Sequence, residues 1–188
     1  MKKLTGLDKI KTAIFISGSG SNLKNLIKFS YKKKTPISIN LVVSNKKNAK
    51  GLKYADKNKI NKIISKSEKK IINHLKKKKI TLICLAGFMQ ILSGSFIKKF
   101  NGKIINIHPS LLPKYKGLDT HKRALKNKEK FSGCTVHYVT PKLDSGKIIL
   151  QKKVKIKKND TEKSLKMNIL RQEHKLYPKA IKKIFVNL

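Results

Sequence analysis

The chain has 188 residues, with 47 Lys+Arg against 9 Asp+Glu and a formal net charge of +38. That length suits a single domain over residues 1–188 with a full core, and no apolar run approaches the roughly 20 residues of a membrane span. The charge would suit nucleic acid, but nearly all of it is Lys spread along the whole chain, with only Arg123 and Arg171 as arginines, which argues against a base-reading surface and for solvated faces.

Residues 12–17 read as a strand, and Gly18-Ser19-Gly20-Ser21-Asn22 then turns into a helix ending near Ser30. Residues 37–44 are apolar almost throughout, as in a parallel sheet covered on both faces. A short helix over 51–59 leads to a brief strand at 62–64, and a helix over 67–77 precedes a strand at 81–86. Ser93 can cap a helix running to Phe100, and residues 103–107 form the next strand. After a loop with two prolines, residues 121–127 have a helical pattern. Residues 134–139 and 148–156 alternate more and read as strands that need not be parallel. A last helix starts near Asp160, with Pro178 expected to bend it. Strand-helix alternation without a linker or repeat predicts a single-domain, doubly wound, mostly parallel α/β sheet with helices on both faces.

Cys84 and Cys134 lie far apart in apolar strands and read as buried free thiols of a reducing compartment. The apolar run at 13–16 is too short for a signal segment, so a soluble, cytoplasmic protein is expected.

Three places carry chemistry. In the first turn, glycines let the backbone approach an anion, and the N–H groups at the helix start can bind phosphate. Leu23 stands where a dinucleotide fingerprint needs its third glycine, so a phosphate monoester fits better than a dinucleotide, and an ordinary capped turn remains open. The second place is Asn106-Ile107-His108-Pro109-Ser110-Leu111-Leu112-Pro113-Lys114-Tyr115-Lys116-Gly117. Asn106 and His108 are two residues apart at a strand end, so their side chains point the same way, into the crevice where open α/β sheets bind ligands. A lone histidine there could simply be a satisfied core residue. The third place, Asp144 in Leu143-Asp144-Ser145-Gly146, shifts the balance. A carboxylate beside His108 is expected to favour the imidazolium, and Asn, charged His and Asp together can stabilise an oxyanion and shuttle a proton. No serine or cysteine nucleophile is evident in the motif, which favours direct attack by a substrate amine.

On these motifs, with Ile16 to Leu23, Leu85-Ala86-Gly87-Phe88-Met89 and Gln172-Glu173-His174, the chain resembles the folate-dependent phosphoribosylglycinamide formyltransferases of the formyltransferase family. The resemblance runs from the first strand to the last helix and implies a Rossmann-like formyltransferase fold. It also implies formyl transfer from 10-formyltetrahydrofolate, as co-substrate and without a metal, to the amine of phosphoribosylglycinamide in purine synthesis. Catalysis would fall to Asn106, His108 and Asp144. Gly20, Ser21 and Asn22 would hold the phosphoribosyl substrate, with Leu170, Arg171, Gln172 and Glu173 around its glycyl amine. Met89, Gln90, Ile91 and Leu92 would line the folate site with Asn106, and Thr140, Pro141, Lys142, Leu143 and Asp144 would close it. Only small-molecule partners are expected, with no specific nucleic acid and no membrane, in a monomer or weak homodimer. The family usually has Arg where Gln90 stands, an acid where Pro141 stands and often His where Asp119 stands. An arginine that touches the folate before Glu68 has no clear counterpart. Of the rivals, methionyl-tRNA formyltransferase normally carries a second domain that has no room here. A non-catalytic nucleic-acid binder leaves Asn106, His108 and Asp144 without a reason.

Overall fold

The computed structural model describes residues 9–185. Strand β1 (Ile10–Ile16) sends alternate side chains to opposite cores: Ile14 and Ile16 join one apolar cluster, Ala13 and Phe15 the other. A strand of this composition needs helices on both of its faces. Helix α1 (Ser21–Ser30) leads to β2 (Ile37–Ser44), and α2 (Leu52–Lys57) to β3 (Lys62–Ile64). Helix α3 (Glu68–Lys77) leads to β4 (Leu82–Leu85), and α4 (Gly94–Lys99) to β5 (Lys103–His108). These five strands pair in parallel. After α5 (Thr120–Lys126), β6 (Phe131–Tyr138) and β7 (Ile148–Lys155) add antiparallel, and α6 (Glu162–Phe185) follows.

The sheet order is β3-β2-β1-β4-β5-β6-β7. Helices α1, α2 and α6 cover one face, α3 and α4 the other. This is the doubly wound, mostly parallel α/β architecture expected. The chain order reverses between β1 and β4, so the loops after these strands open the crevice where such sheets take ligands. Among the described residues no helix is long and apolar enough to cross a membrane.

Local chemistry explains the element ends. The hydroxyl of Ser93 accepts from the Phe96 N–H at 3.0 Å, capping α4, and donates in turn to Glu68 at 2.5 Å. Strand β6 starts at Phe131 rather than Cys134, because Ser132 and Gly133 pair with β7 although neither gives an apolar signal. His108 is the last residue of β5, one beyond the expected end, and pairs with Thr135. Helix α6 continues through Pro178. Proline has no N–H for the carbonyl four residues earlier, and Asn25 Nδ2 takes over that His174 carbonyl at 2.7 Å.

Tyr177, fully buried on α6, donates its hydroxyl toward the carbonyls of Leu85 (2.9 Å) and Ile105 (3.2 Å), tying the helix to β4 and β5 beneath the crevice. Tyr177→Phe keeps the ring and removes the donor. It is expected to cost about 1 kcal/mol, seen as a lowering of Tm by roughly 2–4 °C in a thermal melt.

Candidate active site

The turn after β1 depends on two glycines from different segments. Gly20 has φ +72, and a Cβ placed on it would lie 2.5 Å from the Cα of Gly51. The Gly51 N–H also donates to the Gly18 carbonyl at 2.9 Å. This close approach lets α1 begin at Ser21 with its first N–H groups facing the crevice.

Asn22, in the first turn of α1, meets Glu173 on α6: Asn22 Nδ2 donates to Glu173 Oε2 at 2.7 Å. Both are buried, and Asn22 Oδ1 has no partner. Burial pushes the Glu173 carboxyl up, with the Asn22 hydrogen bond and the Lys166 charge opposing. The structure therefore ties the turn after β1 to the carboxylate and leaves an unused acceptor beside it, suited to an N–H donor. Leu170 and Gln172 are half-buried on the same stretch. Arg171 is exposed, and its guanidinium lies 3.5 Å from Asn168.

On the other side of the crevice, the Met89 N–H donates to Ser17 Oγ at 2.8 Å. Met89 is 60% exposed, Ile91 70% and Leu143, on the loop after β6, 48%. Such large apolar surfaces at a cleft suit a flat ring. Leu92, by contrast, turns into the core at 4% exposure, so only its backbone can face a ligand. Gln90 donates to the Lys66 carbonyl at 3.1 Å, and its Oε1 is buried without a partner. The loop 139–147 closes the far side: Pro141 stands against Gly94, Leu143 against Gly117, and Thr140 bonds the Lys142 carbonyl at 3.1 Å.

Asn106, His108 and Asp144 come together as expected. Asp144, in the left-handed region at φ 45, accepts from the Gly117 N–H at 2.9 Å through Oδ2. The same oxygen lies 3.4 Å from His108 Nδ1, and Oδ1 lies 3.5 Å from Asn106 Nδ2. A fourth member, His137, was not picked out in the sequence. It stands opposite Asn106 in the β5–β6 ladder, with Nε2 3.3 Å from Asn106 Nδ2 and 3.6 Å from Asp144 Oδ1. Its Nδ1 faces the Tyr138 carbonyl at 2.8 Å. A carbonyl only accepts, so Nδ1 carries the hydrogen and Nε2 is the acceptor that orients the Asn106 amide. The adjoining wall is anchored by Thr135, which donates to the Ser110 carbonyl at 2.7 Å and accepts from the Leu112 N–H at 3.2 Å.

Two opposing influences act on His108. Burial pushes the imidazole below its usual range, outweighing the Tyr115 carbonyl and the Asp144 carboxylate that push it up. Its Nε2 lies 2.9 Å from that carbonyl and therefore carries the hydrogen. In its neutral form His108 turns Nδ1 toward Asp144, and the downward push of burial opposes the imidazolium that a neighbouring carboxylate favours. Burial alone would raise Asp144, but the Gly117 N–H and the imidazoles beside it hold its carboxyl below the usual carboxylate range. Among the described residues no His, Cys, Asp and Glu group is arranged to hold a metal ion.

Residues 10–181 match the model of the family described as formyl transferase. The chain is 40% identical over 189 residues to the human trifunctional purine biosynthetic protein adenosine-3, covering 92% of this chain but only 18% of that protein. It is 39% identical over 181 residues to phosphoribosylglycinamide formyltransferase of Haemophilus influenzae, covering 92% of this chain and 85% of the relative. Its fold matches the crystal structure of phosphoribosylglycinamide formyltransferase from Anaplasma phagocytophilum with a TM-score of 0.92 and 40% identity, over 96% of this chain and 88% of that one. With sequence and sheet agreeing over nearly all of the described residues, the chain belongs to the formyl transferase family.

Proposed function

We propose that the protein transfers the formyl group of 10-formyltetrahydrofolate to the amine of phosphoribosylglycinamide, as a cytoplasmic step of purine synthesis. The observation that carries this reading is a single carboxylate, Asp144, within 3.6 Å of Asn106, His108 and His137 at the crevice. The two orphaned acceptors, Asn22 Oδ1 and Gln90 Oε1, fit a substrate donor on each side of that cluster.

The folate supplies the activated one-carbon unit, and the chain does the rest. The turn at Gly20, Ser21 and Asn22 holds the phosphate, while Glu173 and Asn22 Oδ1 aim the amine at the formyl carbon. One hydrogen of the Asn106 amide is directed at His137 and Asp144, and the other is left to stabilise the developing oxyanion. The neutral His108 then takes a proton from the attacking nitrogen on Nδ1 and returns it to the folate nitrogen that leaves. Asp144 stabilises the imidazolium between those steps. One N–H proton leaves the amine and one arrives at the folate, so the balance closes without a further reactant.

Purified protein mixed with both substrates is expected to release deformylated folate, followed by absorbance, only when the ribonucleotide is present. His108→Ala is expected to abolish release. Release without the ribonucleotide would mean hydrolysis of the formyl donor, and no release from folded protein would overturn the proposal.

A further inference from the structure

The carbonyl that fixes the tautomer of His108 belongs to Tyr115, whose backbone is left-handed at φ 56. A bulky residue rarely adopts that conformation and keeps it only where its surroundings over-determine it. Here the surroundings are specific. The Tyr115 hydroxyl donates to Glu129 Oε1 at 2.8 Å and accepts from Asn127 Nδ2 at 3.0 Å. The Arg123 guanidinium lies 5.1 Å from the ring centroid and is itself held by the Lys116 carbonyl at 2.7 Å. One residue is thus clamped by its ring and hydroxyl while its carbonyl touches His108.

Glu129 is one of only 9 acids in the chain, in the turn between α5 and β6 and among lysines that include Lys114, Lys128, Lys130 and Lys153. Lys114 donates to the same oxygen at 2.8 Å. As an exposed ion pair that contact is worth little. The bond to Tyr115 is different, because it continues to the histidine. At 2.9 Å the Tyr115 contact is well formed, whereas the 3.4 Å from Nδ1 to Asp144 is long for a hydrogen bond. The carbonyl therefore decides which nitrogen carries the hydrogen.

We propose that Glu129 is a positioning residue for His108: by holding the Tyr115 hydroxyl it keeps the Tyr115 carbonyl on Nε2, and so leaves Nδ1 as the nitrogen that takes and returns the proton. This rests on the formyl-transfer reading for its kinetic consequence, but its structural core is testable without substrate. The titratable and charged groups facing the ring are Asp144, His137 and Arg123, with His121 farther off, and none of them is altered in the variants below.

The test is the imidazole 15N spectrum of histidine-labelled protein above pH 7, with His108 assigned by its loss in His108→Ala. The parent protein is expected to show the Nε2–H pattern for His108. Tyr115→Phe and Glu129→Ala are expected to convert it to a mixture of tautomers, and to lower kcat roughly tenfold, the weight of one hydrogen bond, with KM for both substrates held. Glu129→Gln keeps a carbonyl oxygen for the tyrosine and is expected to restore the parent spectrum and turnover. An unchanged Nε2–H pattern in folded Tyr115→Phe and Glu129→Ala would overturn the proposal. So would a raised KM at constant kcat, which would assign the loop to substrate binding. Absence of turnover in the parent protein would count against formyl transfer, while the spectra would still decide the role of Glu129.

Discussion

Asn106→Ala is expected to lower kcat by roughly 10²- to 10³-fold, about 2.7–4 kcal/mol of transition-state stabilisation, the scale of losing one oxyanion donor. Asn106 is half-buried, and its side-chain nitrogen makes only long contacts, 3.3 Å to His137 and 3.5 Å to Asp144. These orient the amide without committing its second hydrogen. On the proposed mechanism His108 is neutral at the outset, so the oxyanion relies on this amide more than it would beside an imidazolium. The loss belongs to kcat and not to KM, because the oxyanion exists only in the transition state. Steady-state kinetics at saturating amine and folate, with a thermal melt as control, check it. A fall of less than about fivefold in folded protein would remove Asn106 from the oxyanion role. A rise in KM alone would make it a binding residue.

Much of this site was legible in the sequence because it depends on local rules. Asn106 and His108 share a direction through strand alternation, and the alternating cores of β1 follow from the same rule. The span of β2 and the Ser93 cap were likewise readable from residue type. What escaped depends on pairings distant in sequence. His137 lies between Val136 and Tyr138, so from the sequence it is an ordinary histidine in a strand. Only the antiparallel register of β6 against β5 sets it opposite Asn106. The downward push on the His108 pKa is likewise a product of burial, which no neighbour in the sequence reveals. The resemblance set Leu92 beside Met89, Gln90 and Ile91 at the folate site, and its side chain belongs to the core cluster that includes Phe96.

The acids show the same division. Asp144 and Glu173 are two of 9 acids against 47 basic residues, and both are buried. Others serve local structure: Glu68 accepts from the Ser93 N–H at 2.8 Å, and Asp160 from the Lys157 N–H at 2.8 Å ahead of α6. Most lysines are exposed, consistent with the reading of solvated faces.

Asp144→Asn separates charge from shape. Asparagine can still accept from the Gly117 N–H and tolerates the left-handed backbone at φ 45, so the loop keeps its place while the negative charge is lost. Two consequences follow. The imidazolium formed in transit loses its counter-charge, and kcat is expected to fall on the order of 10²- to 10⁴-fold, the usual span for a positioned proton transfer. The second consequence has a definite sign. Asp144 pushes the His108 pKa up against burial, so removing it lets that pKa fall further. On the proposed mechanism turnover needs neutral His108, and in the parent protein kcat/KM is expected to decline on the acid side below the ordinary histidine value of about 6.5. In Asp144→Asn that decline moves to still lower pH, although the plateau is lower. Profiles of kcat/KM from pH 5 to 8 on protein shown folded by circular dichroism decide the matter. A decline displaced to higher pH would mean that Asp144 does not raise His108, and an undiminished plateau would remove the carboxylate from the proton path.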